Sequence, residues 1–317
     1  MRHWVDWCAE HDLPSTPSQG RHGQLQMIDF VVHLVNKGLA YGTVSAYIHK
    51  IVRYFNNVMG ADVELGFAIK MVLAGARRVL PAPAIKPLIS AEELRTIIAP
   101  LKASCSDQLV LRTALLMAFA GAWRVSQYTA TPWTHGTIRW ADVQFVGSLE
   151  APTHVLINLR HTKTLQPGAG PPQESWFGRV PDCPALCPVT HMVALRTAAI
   201  ARGACGPNDF VFTRPDRQPL TSRQVNAYLR QRSIGTGIGG GRLTSHCLRK
   251  SGATAFAMTG APARALARLG GWVLNSPSME RIYLHDTKTA VGAHTHSIMA
   301  NTKHQMSRGT SAAVPVA

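Results

Sequence analysis

Acidic side chains are scarce in this chain: 17 Asp and Glu among 317 residues face 33 Lys and Arg, for a formal charge of +16. The deficit is uneven. Residues 1–80 hold eight basic and six acidic side chains, leaving 25 against 11 for residues 81–317. So basic a C-terminal part points to a polyanionic partner bound through phosphate contacts and weakened by salt. Long apolar runs are missing too. None reaches the roughly 18 residues needed to span a bilayer, and the N-terminal MRHWVDWCAEHD has no apolar stretch of signal-peptide kind, which leads to the expectation of a protein inside the cell. Cysteine is sparse and scattered: of Cys8, Cys105, Cys183, Cys187, Cys205 and Cys247, only Cys183 and Cys187 lie close together. A zinc site usually takes two close pairs, so reduced thiols are expected and a bound metal is not.

A chain of 317 residues exceeds what one small core organises, and two domains are expected. Residues 1–80 read as helical. Trp4, Val5, Trp7 and Cys8 mark a short amphipathic helix over residues 3–12, and Ser15–His22 reads as a polar loop. Apolar residues then recur at helical spacing at Leu25, Ile28, Val31 or Val32 and Val35, with Gly38 as the stop. Val44, Tyr47, Ile48, Ile51 and Phe55 line another helix, and a third pattern covers Leu65–Leu80. The segment PAPAIKPLIS, Pro81–Ser90, holds three prolines in seven residues, which stiffen it and remove helical donors, so it reads as an interdomain linker.

Past the linker, Ser90 and Glu93 form a capping-box pattern, and Leu111, Ala114, Leu115, Ala118 and Phe119 mark a buried helix ending at Gly121. Trp140–Val146, Thr153–His161 and Trp176–Val180 read as strands. Further helices are expected from Pro188 to Gly203, after Thr221, and, beyond the glycine-rich Ser233–Gly241, across His246 and Arg249. The expected class is mainly α with a small antiparallel β-sheet.

The most informative stretch is Thr244–Tyr283, TSHCLRKSGATAFAMTGAPARALARLGGWVLNSPSMERIY. His246 and Arg249, three apart on a helix, share a face. A planar, permanently charged guanidinium suits a phosphate. Gly270, Gly271 and Trp272 form a turn, and Tyr283 follows on a short amphipathic segment that Ser276 and Pro277 would open. In order and approximate spacing this resembles the tyrosine recombinase (phage integrase) superfamily, with its His-x-x-Arg box, a His or Trp after a Gly-Gly turn, and a nucleophilic Tyr. AFAGAWRVSQY resembles that family's Gly-x-x-Arg-x-Ser motif through Gly121, Arg124 and Ser126, and Lys163 in HTKT matches a lysine carried on a hairpin. LVNKGLAYGTVSAYIHKIVRYFNNV resembles the family's core-binding domain.

The resemblance implies a helical, SAM-like core-binding domain over residues 1–80, a linker over 81–90, a tyrosine recombinase catalytic domain over 91–290 and a tail over 291–317. It implies duplex DNA as partner, self-association to a tetramer on DNA, and an intracellular location with DNA: the nucleus in a eukaryote, the cytoplasm or nucleoid in a bacterium or phage. Tyr283 would attack a phosphate to give a 3′-phosphotyrosyl link, without metal, ATP or any other cofactor. Arg124 and Arg249 would hold the non-bridging oxygens, Lys163 would protonate the leaving 5′-oxygen, His246 would transfer a proton, and Trp272 would buttress the phosphate through its indole N–H. The implied activity is site-specific recombination through a four-way junction, in a mobile element of transposon or retrotransposon type. Two departures stand out. Gln127 occupies the place of the usual acidic residue, so the carboxylate expected to orient Arg124 is missing, and the gap from Trp272 to Tyr283 is eleven residues. A type IB topoisomerase, or a DNA-binding relative without catalysis, are the competing readings.

Overall fold

The computed structural model describes residues 1–17, 20–81, 86–130, 138–148, 150–160 and 172–274. Lys163 and Tyr283 lie outside the described residues, as do the Ser276–Pro277 helix start and the tail. The chain divides into two compact units, Met1–Ile85 and the part from Lys86 onward.

The first unit is built of α1 (Arg2–Glu10), α2 (Gly20–Asn36), α3 (Tyr41–Val58) and α4 (Phe67–Val79). Its core joins Trp4, Trp7, Phe30, Ile48, Ile51 and Ile69. Trp4 meets Phe30 edge-on at 5.1 Å between ring centroids, and its indole N–H donates to the Ser15 carbonyl at 2.6 Å, so the polar end of a buried ring is satisfied. Of the stripe read from its spacing, α3 buries Val44, Ile48, Ile51 and Phe55 and leaves Tyr47 half-buried. α2 differs from expectation in two ways. It begins at Gly20, inside the segment read as a loop, and it buries Met27, Phe30, Val31 and Leu34 while Leu25 stays exposed. The run QLQMIDFVVHLV carries two overlapping apolar stripes; the aromatic contacts to α1 select the one holding Phe30.

The second unit holds α5 (Ala91–Ile98), α6 (Ser106–Ala120), α7 (Val125–Tyr128), α8 (Pro188–Ala201), α9 (Ser222–Thr236), α10 (Ser245–Met258) and α11 (Ala263–Gly270). Its sheet, of order β1-β2-β3, is antiparallel throughout: β1 (Val143–Gly147), β2 (Pro152–Leu159) and β3 (Gln173–Gly178). The mainly α class with a small antiparallel sheet is what the structure has. The box read from sequence, Ser90 with Glu93, is complete, and Thr221 forms another with Gln224, whereas α6 already includes Ser106 and Asp107, the two candidates for its cap, and is preceded by Cys105. The strands are displaced from their expected bounds. Residues 140–142 make a 3-10 turn before β1, and β3 starts at Gln173. Likewise the glycine-rich approach to His246 is structured, since α9 runs to Thr236 and a 3-10 turn covers Ile238–Gly241.

β2 points Val155, Ile157 and Leu159 into a core completed by α6 and α8, and β3 adds Phe177. α10 runs through this core. Ser245 and residues 247 to 254 are buried, polar and charged side chains included. A helix so enclosed holds its side chains in fixed rotamers, as positioning a reactive group demands.

Candidate active site

The site is assembled around α10. Arg249 is 1% exposed, and its guanidinium donates to the Ala122 carbonyl and, at 2.8 Å, to the Gly270 carbonyl. Its charge centre lies 4.3 Å from the centroid of the Trp272 ring, in cation–π range. One buried arginine thereby ties the turn before Arg124 to the turn that bears Trp272.

Each turn has a local cause. At the end of α11, Gly271 has φ 61°, a left-handed cap that favours glycine. A Cβ on Gly270 would stand 1.9 Å from the Trp272 ring. The pair Gly270–Gly271 is thus what lets Trp272 fold back over the helix end, where its backbone N–H donates to the Ala267 carbonyl at 2.9 Å. At the end of α6, a Cβ on Gly121 would meet the Trp123 indole at 2.6 Å. Trp123 is wholly buried, donates to Ser175 Oγ on β3 at 3.1 Å and meets Phe177 edge-on at 5.4 Å. Ala122, between them, has φ 48°, which costs a non-glycine residue roughly 1–2 kcal/mol. The kink presents the Ala122 carbonyl to Arg249 and sends the chain on to Arg124.

Arg124 begins α7. Its backbone N–H donates to Gln127 Oε1 at 2.6 Å. Gln127, which takes the place of the expected acidic residue, is buried and fastens the arginine's backbone. Sequence reading saw the lost carboxylate and missed this cap, whose only signal is the three-residue spacing from Arg124.

His246, on the first turn of α10, is pushed down to about 4, first by burial and then by the positive charges of Lys86, Arg249, Lys250 and Arg124. The imidazole is therefore neutral near pH 7, set among four cations drawn from three separate stretches of chain. Arg124, His246, Arg249 and Trp272 lie together here. Lys86 and Lys250 were not among the sequence candidates. Lys250 stands four residues after His246 on one helix, so its spacing carried a signal; Lys86 had none. Tyr228, an aromatic rival to Tyr283, donates its hydroxyl to the Ile97 carbonyl at 2.7 Å and serves the core. Among the described residues no three His, Cys, Asp or Glu side chains gather as metal ligands, and no helix is long and apolar enough to cross a membrane.

Residues 191–290 match the sequence model of the phage integrase family. That segment contains His246, Arg249 and Trp272 in the arrangement just described, and its bounds include Tyr283. The fold is also similar to solved structures. The XerH site-specific recombinase, in a post-cleavage complex with difH substrate, aligns with TM-score 0.59 at 14% identity, over 86% of this chain and 71% of that one. The Tn1549 transposon integrase, in complex with transposon right end DNA, aligns with TM-score 0.56 at 15% identity over 89% of both chains. Lambda integrase bound to DNA aligns with TM-score 0.54 at 15% identity over 90% of both. At these identities the likeness is one of fold. No curated protein matches the sequence.

Proposed function

We propose that this protein is a site-specific DNA recombinase that cuts and rejoins strands through a covalent tyrosyl link. One observation carries the reading: Arg124, His246, Arg249 and Trp272, scattered over 149 positions of sequence, lie in one cationic cluster. In the proposed reaction the Tyr283 oxygen attacks a DNA phosphorus and the bond to the 5′-oxygen breaks. Neutral His246 accepts the phenolic proton, and Lys163 supplies one to the departing 5′-hydroxyl. Arg124 and Arg249 spread the charge that grows on the non-bridging oxygens. Because the tyrosyl link stores the energy of a phosphodiester, a second 5′-hydroxyl reverses the attack and releases Tyr283. A tetramer exchanging strands through a four-way junction, encoded by a mobile element, is the assembly proposed. It fits neighbours in fold described as a tetramer bound to a Holliday junction and as a transposon integrase.

Nicked duplexes tiled across the DNA flanking the gene test this. One or more should trap a covalent protein–DNA adduct that disappears in Tyr283→Phe. Tight binding with no adduct on any duplex, or an adduct that survives Tyr283→Phe, overturns the reading.

A further inference from the structure

The residues that open the second unit are sewn onto the helix that carries His246 and Arg249. The Ile89 backbone N–H donates to Ser251 Oγ at 2.8 Å in a buried contact. The Lys250 ammonium, 5% exposed, donates to the Lys86 carbonyl at 3.2 Å. Both acceptor and donor on α10 directly follow Arg249 in sequence. The backbone at Lys86 is thereby held beside this cationic cluster while its own side chain remains exposed. We infer that Lys86 is a further phosphate-contacting residue of this site, delivered by the interdomain segment and held in register by Lys250 and Ser251.

Three features support this. Among the described residues no carboxylate lies within ion-pair distance of either lysine, so nothing described neutralises them. The Lys86 charge bears on both neighbours: it is the foremost of the cations depressing His246, alongside Arg249, Lys250 and Arg124, and it adds to the effect of burial in lowering Lys250. Like charges brought so close repel, and an anion placed among them relieves the repulsion. Ammonium groups also suit the task, as compact point charges with three rotatable donors that reach a phosphate oxygen without the fixed fork of a guanidinium.

The inference rests on the reading of the cluster as a DNA-phosphate site, and its test is separable from that reading. In the full-length chain, Lys86→Met and Lys86→Arg are compared with the wild type by NMR titration of the His246 imidazole, assigned through His246→Gln. They are also compared by the salt dependence of binding to a 30-base-pair duplex. Lys86→Met should raise the His246 midpoint and make the slope of log affinity against log salt shallower by about 0.9, the loss of one phosphate contact. Lys86→Arg should leave both near wild type. An unmoved His246 midpoint means that Lys86 does not face the cluster, and a moved midpoint with an unchanged slope means that it touches no phosphate; either result overturns the inference. Should the wild type never form an adduct while both effects appear, the recombinase reading fails and the phosphate contact stands.

Discussion

Arg249→Lys tests whether one buried guanidinium holds the site together. Arg249 donates to carbonyls on two different turns, at Ala122 and Gly270, and stacks on Trp272. A lysine ammonium keeps the charge but lacks the planar fork, so it satisfies one carbonyl and leaves the other buried without its donor. A hydrogen bond from a charged donor contributes about 1.5–3 kcal/mol, and a desolvated cation–π contact adds up to about 2 kcal/mol. With part of each retained, Arg249→Lys should cost about 2–4 kcal/mol. The assay is equilibrium urea unfolding of the full chain, followed by tryptophan fluorescence and helical circular dichroism. At a slope of about 3 kcal/mol per molar urea, the transition of the second unit should move down by about 1 M. A double-mutant cycle with Trp272→Leu separates the stacking contribution, because the pair is in contact and its effects should not add. A shift below about 0.2 M would show that Arg249 does not brace the two turns and would refute the hub.

Two further outcomes follow from the same packing. A Cβ on Gly252 would stand 1.8 Å from the Phe119 carbonyl, on the backbone of α6, which cannot swing aside as a side chain can. Gly252→Ala should therefore force α6 and α10 apart at a cost of about 3 kcal/mol, lowering the thermal midpoint by roughly 6–12 °C; an unchanged melt would mean that the helices separate freely. His246 titrates at about 4 in the folded chain against an ordinary 6.5. Between those values the unfolded chain binds more protons, so stability is full above pH 6.5 and declines as pH falls towards 4. Given the residual exposure of His246, the loss should be about 2 kcal/mol rather than the 3 or so that the full shift would give. The urea midpoint of wild type measured against His246→Gln from pH 7 to pH 4 checks this, and parallel curves would refute it.

Local rules read much of the architecture from the chain. The apolar spacing of α3, the boxes at Ser90 and Thr221, and the β2 alternation of Val155, Ile157 and Leu159 all report one element's own geometry. Where two elements compete for a stripe, as in α2, periodicity alone chose Leu25, and contacts with Trp4 and Trp7 chose Phe30. The hairpin bounds slipped for a similar reason. Pairing partners, such as Leu156 opposite Trp176, decide where a strand starts and stops.

By itself the sequence determined the fold class, the basic character of residues 81–317 and the order of motifs that marks the integrase segment, because composition, capping and period act within a few residues of one another. Only the tertiary structure decided that Arg249 bonds the carbonyls flanking both turns, that Gln127 fastens the Arg124 backbone, and that Lys86 and Lys250 crowd the imidazole of His246. Those contacts join residues up to 164 positions apart. Nothing in local spacing encodes the contacts of Arg249 and Lys86, since they arise only when distant helices and turns pack into a single core.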